Sequence, residues 1–179
     1  MKRCEMERVG QMKEYLEQKA DFLISERIRK IESLYIDNVG NIKHDLEMAL
    51  KKLVRDKGEG KLVISYLRSS YLLGNFDFYI AYYEGEIFVK EEPDCIFFNM
   101  QSGFSGINED MQEMDKSLHS KFIRISQGEK EEIQKWYIEQ VYKKFIYIVK
   151  AAVERIDGDK KIEVYYGGYM DEVELIYKI

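Results

Sequence analysis

The sequence is short of proline, cysteine and histidine, and each shortage excludes a class of protein. Pro93 is the only proline among the 179 residues, so the chain has no proline-rich linker or recognition segment. Two cysteines, Cys4 and Cys95, are too few for a disulfide framework. We expect two free thiols, with Cys95 packed in the core as a small apolar side chain.

Long apolar runs are also missing. The longest uncharged run, residues 95–108, contains Asn, Gln, Ser and Gly, whereas a membrane-spanning helix needs roughly 20 mostly apolar residues. Residues 1–8 lack the apolar core of a secretory signal, and neither Lys2 nor the final Ile-Tyr-Lys-Ile fits a lipidation motif. We therefore expect a cytoplasmic protein without a transmembrane segment.

The overall composition indicates a folded chain of ordinary domain size. Hydrophobic residues make up 45% and charged residues 34% of the sequence, which is typical of a globular rather than a disordered protein. A chain of 179 residues is close to the usual length of one domain. We expect a single domain that spans residues 1–179.

Acidic charge is concentrated in one part of the chain. The net charge is −5, and between Glu84 and Asp115 nine acidic residues accompany a single basic residue, Lys90. An acidic surface repels phosphate groups and attracts basic surfaces. The charge therefore argues against nucleic acid and anionic membranes as partners and favours a basic protein. The nine acids are Glu84, Glu86, Glu91, Glu92, Asp94, Glu109, Asp110, Glu113 and Asp115.

Residues 1–57 predict a helical hairpin. Apolar residues recur at close to the 3.6-residue helical period over 3–37 and again over 41–57. A helix over 3–37 would be about 50 Å long, which exceeds the width of a small domain. Part of it is therefore expected to project from the domain or to pack on a second chain.

Residues 61–100 predict an antiparallel meander of four strands. This part is rich in Tyr, Phe, Ile, Leu and Val, with turn signals at Gly74-Asn75 and Glu84-Gly85. Turns this short favour antiparallel pairing, since parallel strands need long crossovers. The first strand ends at Leu67 or reaches Leu72. The strands are expected at 62–67, 76–83, 86–90 and 94–100.

Residues 108–156 predict a helical pair. A helix over 109–121 would have Asn108 as its N-cap. The sequence from Ser126 to Glu129 fits a capping box, which opens a second helix that runs to about Arg155. Residues 122–125 form either the end of the first helix or a short strand.

Residues 161–178 predict a C-terminal β-hairpin, with strands at 162–166 and 172–177 around Gly167-Gly168. Helices and strands are segregated along the chain, which is typical of the α+β class. The predicted fold is an antiparallel β-meander plus this hairpin, packed against about four α-helices, two of them long.

Few residues could support catalysis or hold a metal. His119 follows Asp115 by one helical turn, which indicates a surface pair rather than a catalytic triad, whose groups must converge in space. His44 and Glu47 have a spacing that carboxylate metal sites use twice, but a second copy is absent. The loop 102–106 lacks the lysine of a phosphate-binding loop. We predict no catalytic residue, no cofactor and no metal site.

Tyrosine is abundant, with 14 copies. The period-two alternation of strand 76–83 places Asp77, Tyr79 and Tyr83 on one side. Tyrosine supplies large contact area at low entropic cost and is enriched at interfaces. We expect this side to be exposed and to join the neighbouring acids in a docking face. The predicted partner-binding residues are Asp77, Tyr79, Tyr83, Glu84, Glu86, Glu91 and Glu92.

These patterns favour a non-enzymatic protein-interaction module, such as an inhibitor or immunity-type protein that covers a basic effector. Three alternatives stay open. One is a homodimer or other homo-oligomer that uses the long N-terminal helix as a seam. Another is a small enzyme, if acids such as Asp77, Glu84 and Glu86 converge in a deep pocket. The third is a DNA-mimic inhibitor, which would need its acids spaced like phosphates.

Overall fold

The computed structural model describes residues 2–36, 42–89, 93–101, 104, 106–156 and 161–179. Helices and strands follow one another in the order α1, α2, β1, α3, β2, β3, α4, α5, β4, β5. The helices are α1 (Lys2–Ile36), α2 (Ile42–Val54), α3 (Arg68–Leu72), α4 (Ile107–Lys121) and α5 (Gln127–Val153). The strands are β1 (Gly60–Tyr66), β2 (Asp77–Tyr83), β3 (Asp94–Asn99), β4 (Ile162–Gly168) and β5 (Val173–Lys178).

The five strands form one mixed sheet in the order β3-β2-β1-β4-β5. Pairing is antiparallel between β1 and β2, between β2 and β3, and between β4 and β5. Strands β1 and β4 pair in parallel, with Ile64 opposite Tyr166. The α+β class is confirmed, and the predicted antiparallel meander is correct only in part, because the sheet also contains a parallel pair. The C-terminal hairpin joins the sheet through this parallel pairing.

Residues 86–89 do not form the strand that the sequence predicts for residues 86–90. Residues 84–89 form bends and turns instead, and Phe88 has a φ of 64°. A positive φ is incompatible with extended backbone, so the alternation of Glu86, Ile87, Phe88 and Val89 does not become a strand. Strand β2 therefore pairs directly with the segment that the sequence predicted as a fourth strand.

The short helix α3 replaces the alternative in which the first strand reaches Leu72. Strand pairing ends where the Leu67 amide donates to the Asp77 carbonyl at 3.2 Å. The Ser70 hydroxyl then donates to the Asp77 carboxylate and to the Asn75 carbonyl, both at 2.9 Å. These contacts close the loop that leads from β1 back into β2.

The start of α5 confirms the predicted capping box. The Ser126 amide donates to the Glu129 carboxylate at 2.7 Å, and the Glu129 amide donates to the Ser126 hydroxyl at 3.3 Å. The start of α4 differs from its prediction, since Gly106 with a φ of 87° precedes the helix and Asn108 lies inside it. Residues 122–125 form no strand. None of the helices in the described ranges is long and apolar enough to span a membrane.

The contacts divide the chain into two compact units, and the expectation of a single domain stays a prediction. The helical unit comprises residues 1–30 and 105–145, and the sheet unit comprises residues 31–104 and 146–179. The helical unit therefore holds most of α1, all of α4 and the first part of α5. The sheet unit holds all five strands together with α2 and α3.

A buried charged network connects three helices of the helical unit. The Arg27 guanidinium of α1 donates to the Asp110 carboxylate of α4 at 2.7 and 3.1 Å and to the Gly106 carbonyl at 2.6 Å. The Tyr137 hydroxyl of α5 donates to the same carboxylate at 2.8 Å. All three side chains are buried. A side chain at position 106 would collide with the guanidinium, so glycine is required there for steric as well as conformational reasons.

The two faces of the sheet differ in how many of their side chains are buried. In β1 to β4 the even-numbered side chains point to one face and the odd-numbered side chains to the other. We therefore call these the even face and the odd face. The even face carries fully buried residues on every one of β1, β2 and β4, namely Leu62, Ile64, Phe78, Ile80, Val164 and Tyr166. The odd face is buried around Val63, Ala81 and Tyr83, where Ile87 and Phe88 pack, and at Ser65 and Gly167.

The substitution Asp110→Ala tests the buried network. It should lower the free energy of unfolding by about 3–5 kcal/mol, because the Arg27 guanidinium would remain buried without its counter-charge. The control Glu109→Ala removes an exposed carboxylate from the same helical turn and should change stability by less than about 0.5 kcal/mol. Urea denaturation followed by far-UV circular dichroism measures both, and equal losses would contradict a structural role for the pair.

Candidate functional site

Five aromatic rings form a connected group on the odd face of the sheet unit. The Tyr79 ring centroid lies 5.3 Å from that of Phe97 and 5.0 Å from that of Tyr169. The Phe88 ring lies 6.0 Å from Tyr169 and 6.0 Å from Tyr83. Three of these contacts are edge-on and the fourth is tilted, which are favourable arrangements for aromatic pairs. We call Tyr79, Tyr83, Phe88, Phe97 and Tyr169 the aromatic cluster.

Strand pairing positions the cluster. Tyr79 of β2 is directly opposite Phe97 of β3, so the two rings stand side by side on the odd face. Tyr169 follows β4, and its amide donates to the Tyr66 carbonyl of β1 at 3.2 Å. Phe88 belongs to the 84–89 connection, which turns back towards Tyr83 after Gly85. The cluster thus combines strands β2 and β3 with a connection and a turn.

Exposure increases from one end of the cluster to the other. Tyr83 is 2% exposed, Tyr169 is 45% exposed and Phe97 is 71% exposed. Val89, Met170 and Leu175, neighbours of the cluster in sequence or on the strands, are exposed apolar residues as well. Phe88 and Met170 are two of the three non-glycine residues with a positive φ in the described part of the chain. Strained backbone thus holds two of the apolar side chains around this surface.

The structure brings Tyr79 and Tyr83 together, as the alternation predicted, but it closes off Tyr83. The expectation of an open face is wrong at that residue, because the 84–89 connection covers its ring. Asp77 lies at the far end of β2, where its carboxylate accepts hydrogen bonds from Ser70 at 2.9 Å and from Asn99 at 2.6 Å. Its role is to hold that end of the strand pair.

Glu84 and Glu86 are exposed and border an open pocket of about 590 Å³ at the end of the sheet. Glu59 and Glu163 also line this pocket, together with Lys61, Lys161 and Lys178. Lys178 donates to Glu163 at 2.7 Å, an interaction that lowers the pKa of that carboxyl. Acidic and basic side chains are thus mixed around this pocket, which differs from the converging set of acids that the enzyme alternative requires. The predicted residues Glu91 and Glu92 lie outside the described residues.

Cys95 is exposed, so its expected place in the core is wrong. It pairs with Ala81 and therefore shares the odd face with Tyr79. Burial raises the pKa of the Tyr79 hydroxyl, and a hydrogen bond between that hydroxyl and the Cys95 thiol adds to the shift. Burial also raises the pKa of Tyr83, with a smaller contribution from Tyr169. Tyr79 and Tyr83 therefore stay neutral well beyond neutral pH.

His44 and His119, which were considered for metal binding and catalysis, are both exposed. His119 is exposed, and its Nδ1 atom lies 2.8 Å from the Asp115 carbonyl oxygen one turn earlier. In the part of the chain that the structure describes, no three His, Cys, Asp or Glu side chains are placed to hold a metal ion. The odd face presents exposed aromatic side chains, including Phe97 and Tyr169.

The site residues predicted from the sequence did not include three members of the cluster, Phe88, Phe97 and Tyr169. Phe97 could have been found, because alternation in 94–99 places Cys95, Phe97 and Asn99 on one side. Its contact with Tyr79 required the strand order and register. Tyr169 and Phe88 lie outside the strands, and no local pattern in the sequence signals their positions.

Substitutions at the two ends of the cluster should differ in their effect on stability. Tyr83→Ala removes a buried ring and should lower the free energy of unfolding by about 3 kcal/mol. Phe97→Ala removes an exposed ring and should cost less than about 1 kcal/mol. Thermal or urea denaturation measures both values. A larger loss for Phe97→Ala than for Tyr83→Ala would contradict the observed gradient of exposure.

Stability should also depend on alkaline pH through Tyr83. Its pKa is higher in the folded chain than in the unfolded chain, where it is about 10. The contribution is therefore fully present below pH ~10 and is lost as the pH rises towards the folded-state value. Urea denaturation at a series of alkaline pH values should show a smaller decline for Tyr83→Phe than for the unsubstituted chain. Identical declines would show that Tyr83 titrates equally in both states.

Comparison with known proteins assigns nothing to this surface. No protein-family model matches the chain, and neither the curated proteins nor the solved structures include a significant match. The chemistry of the aromatic cluster and its surroundings is therefore the basis for a functional conclusion.

Proposed function

We propose that this chain is a protein-interaction module that binds a basic partner protein through the exposed part of the aromatic cluster. The observation that carries the proposal is the Phe97 ring. It is 71% exposed on a sheet face, yet it contacts Tyr79, which in turn contacts Tyr169. A rigid, connected aromatic surface that is exposed to water is typical of a binding site.

The physical basis of affinity would be burial of these rings by the partner. Tyr79, Phe97 and Tyr169 are already held against one another, so little side-chain entropy would be lost on binding. Exposed Val89 and Met170 extend the apolar area. Residues of this kind are the ones that dominate the free energy of protein association when a partner covers them.

The charge around the cluster favours a basic partner. Between residues 68 and 101 the sequence has six acids, Asp77, Glu84, Glu86, Glu91, Glu92 and Asp94, and two basic residues, Arg68 and Lys90. Of these acids, Asp94 is ion-paired with Lys57 and Asp77 lies at the far end of β2. Glu84 and Glu86 are exposed just before Phe88, and Glu172 is exposed just after Met170, whereas Asp171 forms an ion pair with Arg68 at 2.6 Å. Charges at the rim of an interface speed the encounter with an oppositely charged protein and repel proteins of like charge.

An inhibitor or immunity-type protein, which covers the active surface of a basic effector, is the narrower form of this proposal. The rival that uses the long N-terminal helix as a seam between copies is less well supported. Of the apolar residues of α1, Met12, Leu16, Ala20 and Leu23 are already buried within the single chain, whereas Met6 is exposed.

The experiment is affinity capture from a lysate of the source organism, with mass spectrometry of the retained proteins. The baits are the unsubstituted chain, Phe97→Ala and a matched control, Phe22→Ala. Phe22 is 64% exposed on α1, so the control removes an equally accessible ring from another surface. Each capture is repeated at low and high salt, since rim charges are screened at high ionic strength.

We expect a basic protein that the unsubstituted chain and Phe22→Ala retain at low salt. Phe97→Ala should lose most of it, because one central aromatic residue commonly accounts for about 2 kcal/mol or more of binding free energy. Retention should fall at high salt. Equal retention by Phe97→Ala would remove the aromatic cluster from consideration as the binding site.

A further inference from the structure

We propose that the partner binds by strand addition: an extended segment of the basic partner pairs with the free edge of β3 and becomes a sixth strand. This inference rests on the proposed function and specifies how the same surface is used. Strand addition requires backbone groups of β3 that face away from the sheet.

The register of the sheet identifies those groups. In an antiparallel pair, residues opposite one another alternate between pairs that exchange both backbone hydrogen bonds and pairs that exchange none. The Leu67 amide donates to the Asp77 carbonyl at 3.2 Å, so odd-numbered residues of β2 bond towards β1. The Met100 amide donates to the Phe76 carbonyl at 2.8 Å, so even-numbered residues of β2 and β3 bond to each other.

It follows that Ile96 and Phe98 use their amide and carbonyl groups within the sheet, whereas Cys95 and Phe97 direct theirs outwards. In the described residues β3 has β2 as its only neighbouring strand. Cys95 and Phe97 also carry their side chains on the odd face, and both are exposed. Within the part of the chain that the structure describes, these two residues thus combine outward-directed backbone groups with exposed side chains, which is the combination that strand addition needs.

The two edges of the sheet differ in their protection. Natural sheets protect their edges with lysine, proline and β-bulges. Strand β5 ends in Lys178, and its pairing with β4 contains a register shift at Val164/Tyr165. Strand β3 contains no lysine and no proline, and its pairing with β2 is regular. Within β3 itself, no lysine, proline or bulge therefore protects the outer edge, although Pro93 directly precedes the strand and α2 packs close to it.

The acidic charge near β3 favours a basic segment over a second copy of this chain as the added strand. A second copy that paired in parallel would place its acidic segment beside that of the first, so that like charges would oppose each other. In an antiparallel pair the two acidic segments would lie at opposite ends of the edge, so a second copy would gain no electrostatic attraction from them. A basic segment instead brings attraction to Glu84, Glu86 and the rest of that segment. A lysine or arginine next to Phe97 would in addition lie near the face of an exposed ring, a favourable cation–π position.

The test uses the full chain and a synthetic peptide of four Lys-Val repeats, acetylated at its N-terminus and amidated at its C-terminus. The matched control peptide has the same sequence with alternate backbone nitrogens methylated, which removes hydrogen-bond donors and keeps the side-chain charges. Isothermal titration calorimetry at low salt measures affinity. Residue-resolved amide hydrogen exchange locates the contact on the protein.

In the free chain, the amides of Ile96 and Phe98 should exchange slowly and those of Cys95 and Phe97 fast. The Lys-Val peptide should bind and slow exchange at Cys95 and Phe97 by at least about tenfold. The methylated peptide should bind at least about tenfold more weakly, since several backbone hydrogen bonds are lost. Phe97→Ala should weaken binding, and Phe22→Ala should not.

Every other result contradicts strand addition by a basic partner, and each result shows which part of the proposal is wrong. Equal binding of the two peptides that still depends on Phe97 would support the aromatic cluster as a site but overturn strand addition. Absence of binding, or binding indifferent to Phe97→Ala, would overturn strand addition and argue against the proposed function as well. Concentration-dependent protection of Cys95 and Phe97 without peptide would identify a second copy as the occupant.

Discussion

The parallel pairing of β1 with β4 determines where every other part of the sheet unit lies. It joins Gly60–Tyr66 to Ile162–Gly168 and leaves β1 between β2 and β4, with Leu62, Val63 and Ile64 buried on both faces. The turn after β4 can then bring Tyr169 against Tyr79 of β2. A side chain at Gly167 would collide with the Glu172 carbonyl and with Val173, so the approach of β4 and β5 depends on glycine there.

Local patterns in the sequence predicted most of the elements but not their arrangement. The capping box at Ser126, the alternation of β2 and the two hairpin strands are encoded within a few residues, and the structure contains all of them. The parallel pairing joins segments about one hundred residues apart, and nothing in either strand marks the other as its neighbour. The segment 86–90 misled the prediction because its alternation resembles a strand, whereas the turn at Phe88 depends on tertiary packing.

The candidate site shows the same division. Alternation correctly placed Tyr79 and Tyr83 on one face, since the side-chain period of a strand is independent of its neighbours. Whether a residue on that face meets water depends on what covers it. The 84–89 connection covers Tyr83, while Phe97 stays exposed because β3 is an edge strand. Cys95 was expected in the core for its apolar neighbours Ile96 and Phe98, yet strand order places it at the open margin.

The position of β3 at the edge of the sheet also affects how readily this chain would aggregate in a cell. An unpaired and regular edge accepts extended backbone from misfolded or nascent chains as well as from a proper partner. Ile96, Phe97 and Phe98 give this edge the apolar, β-branched and aromatic composition that favours aggregation. Under the proposed strand addition, copies made in excess of the partner would accumulate with the edge uncovered. Balanced synthesis of the chain and such a partner would then protect the chain as effectively as a change in its own sequence.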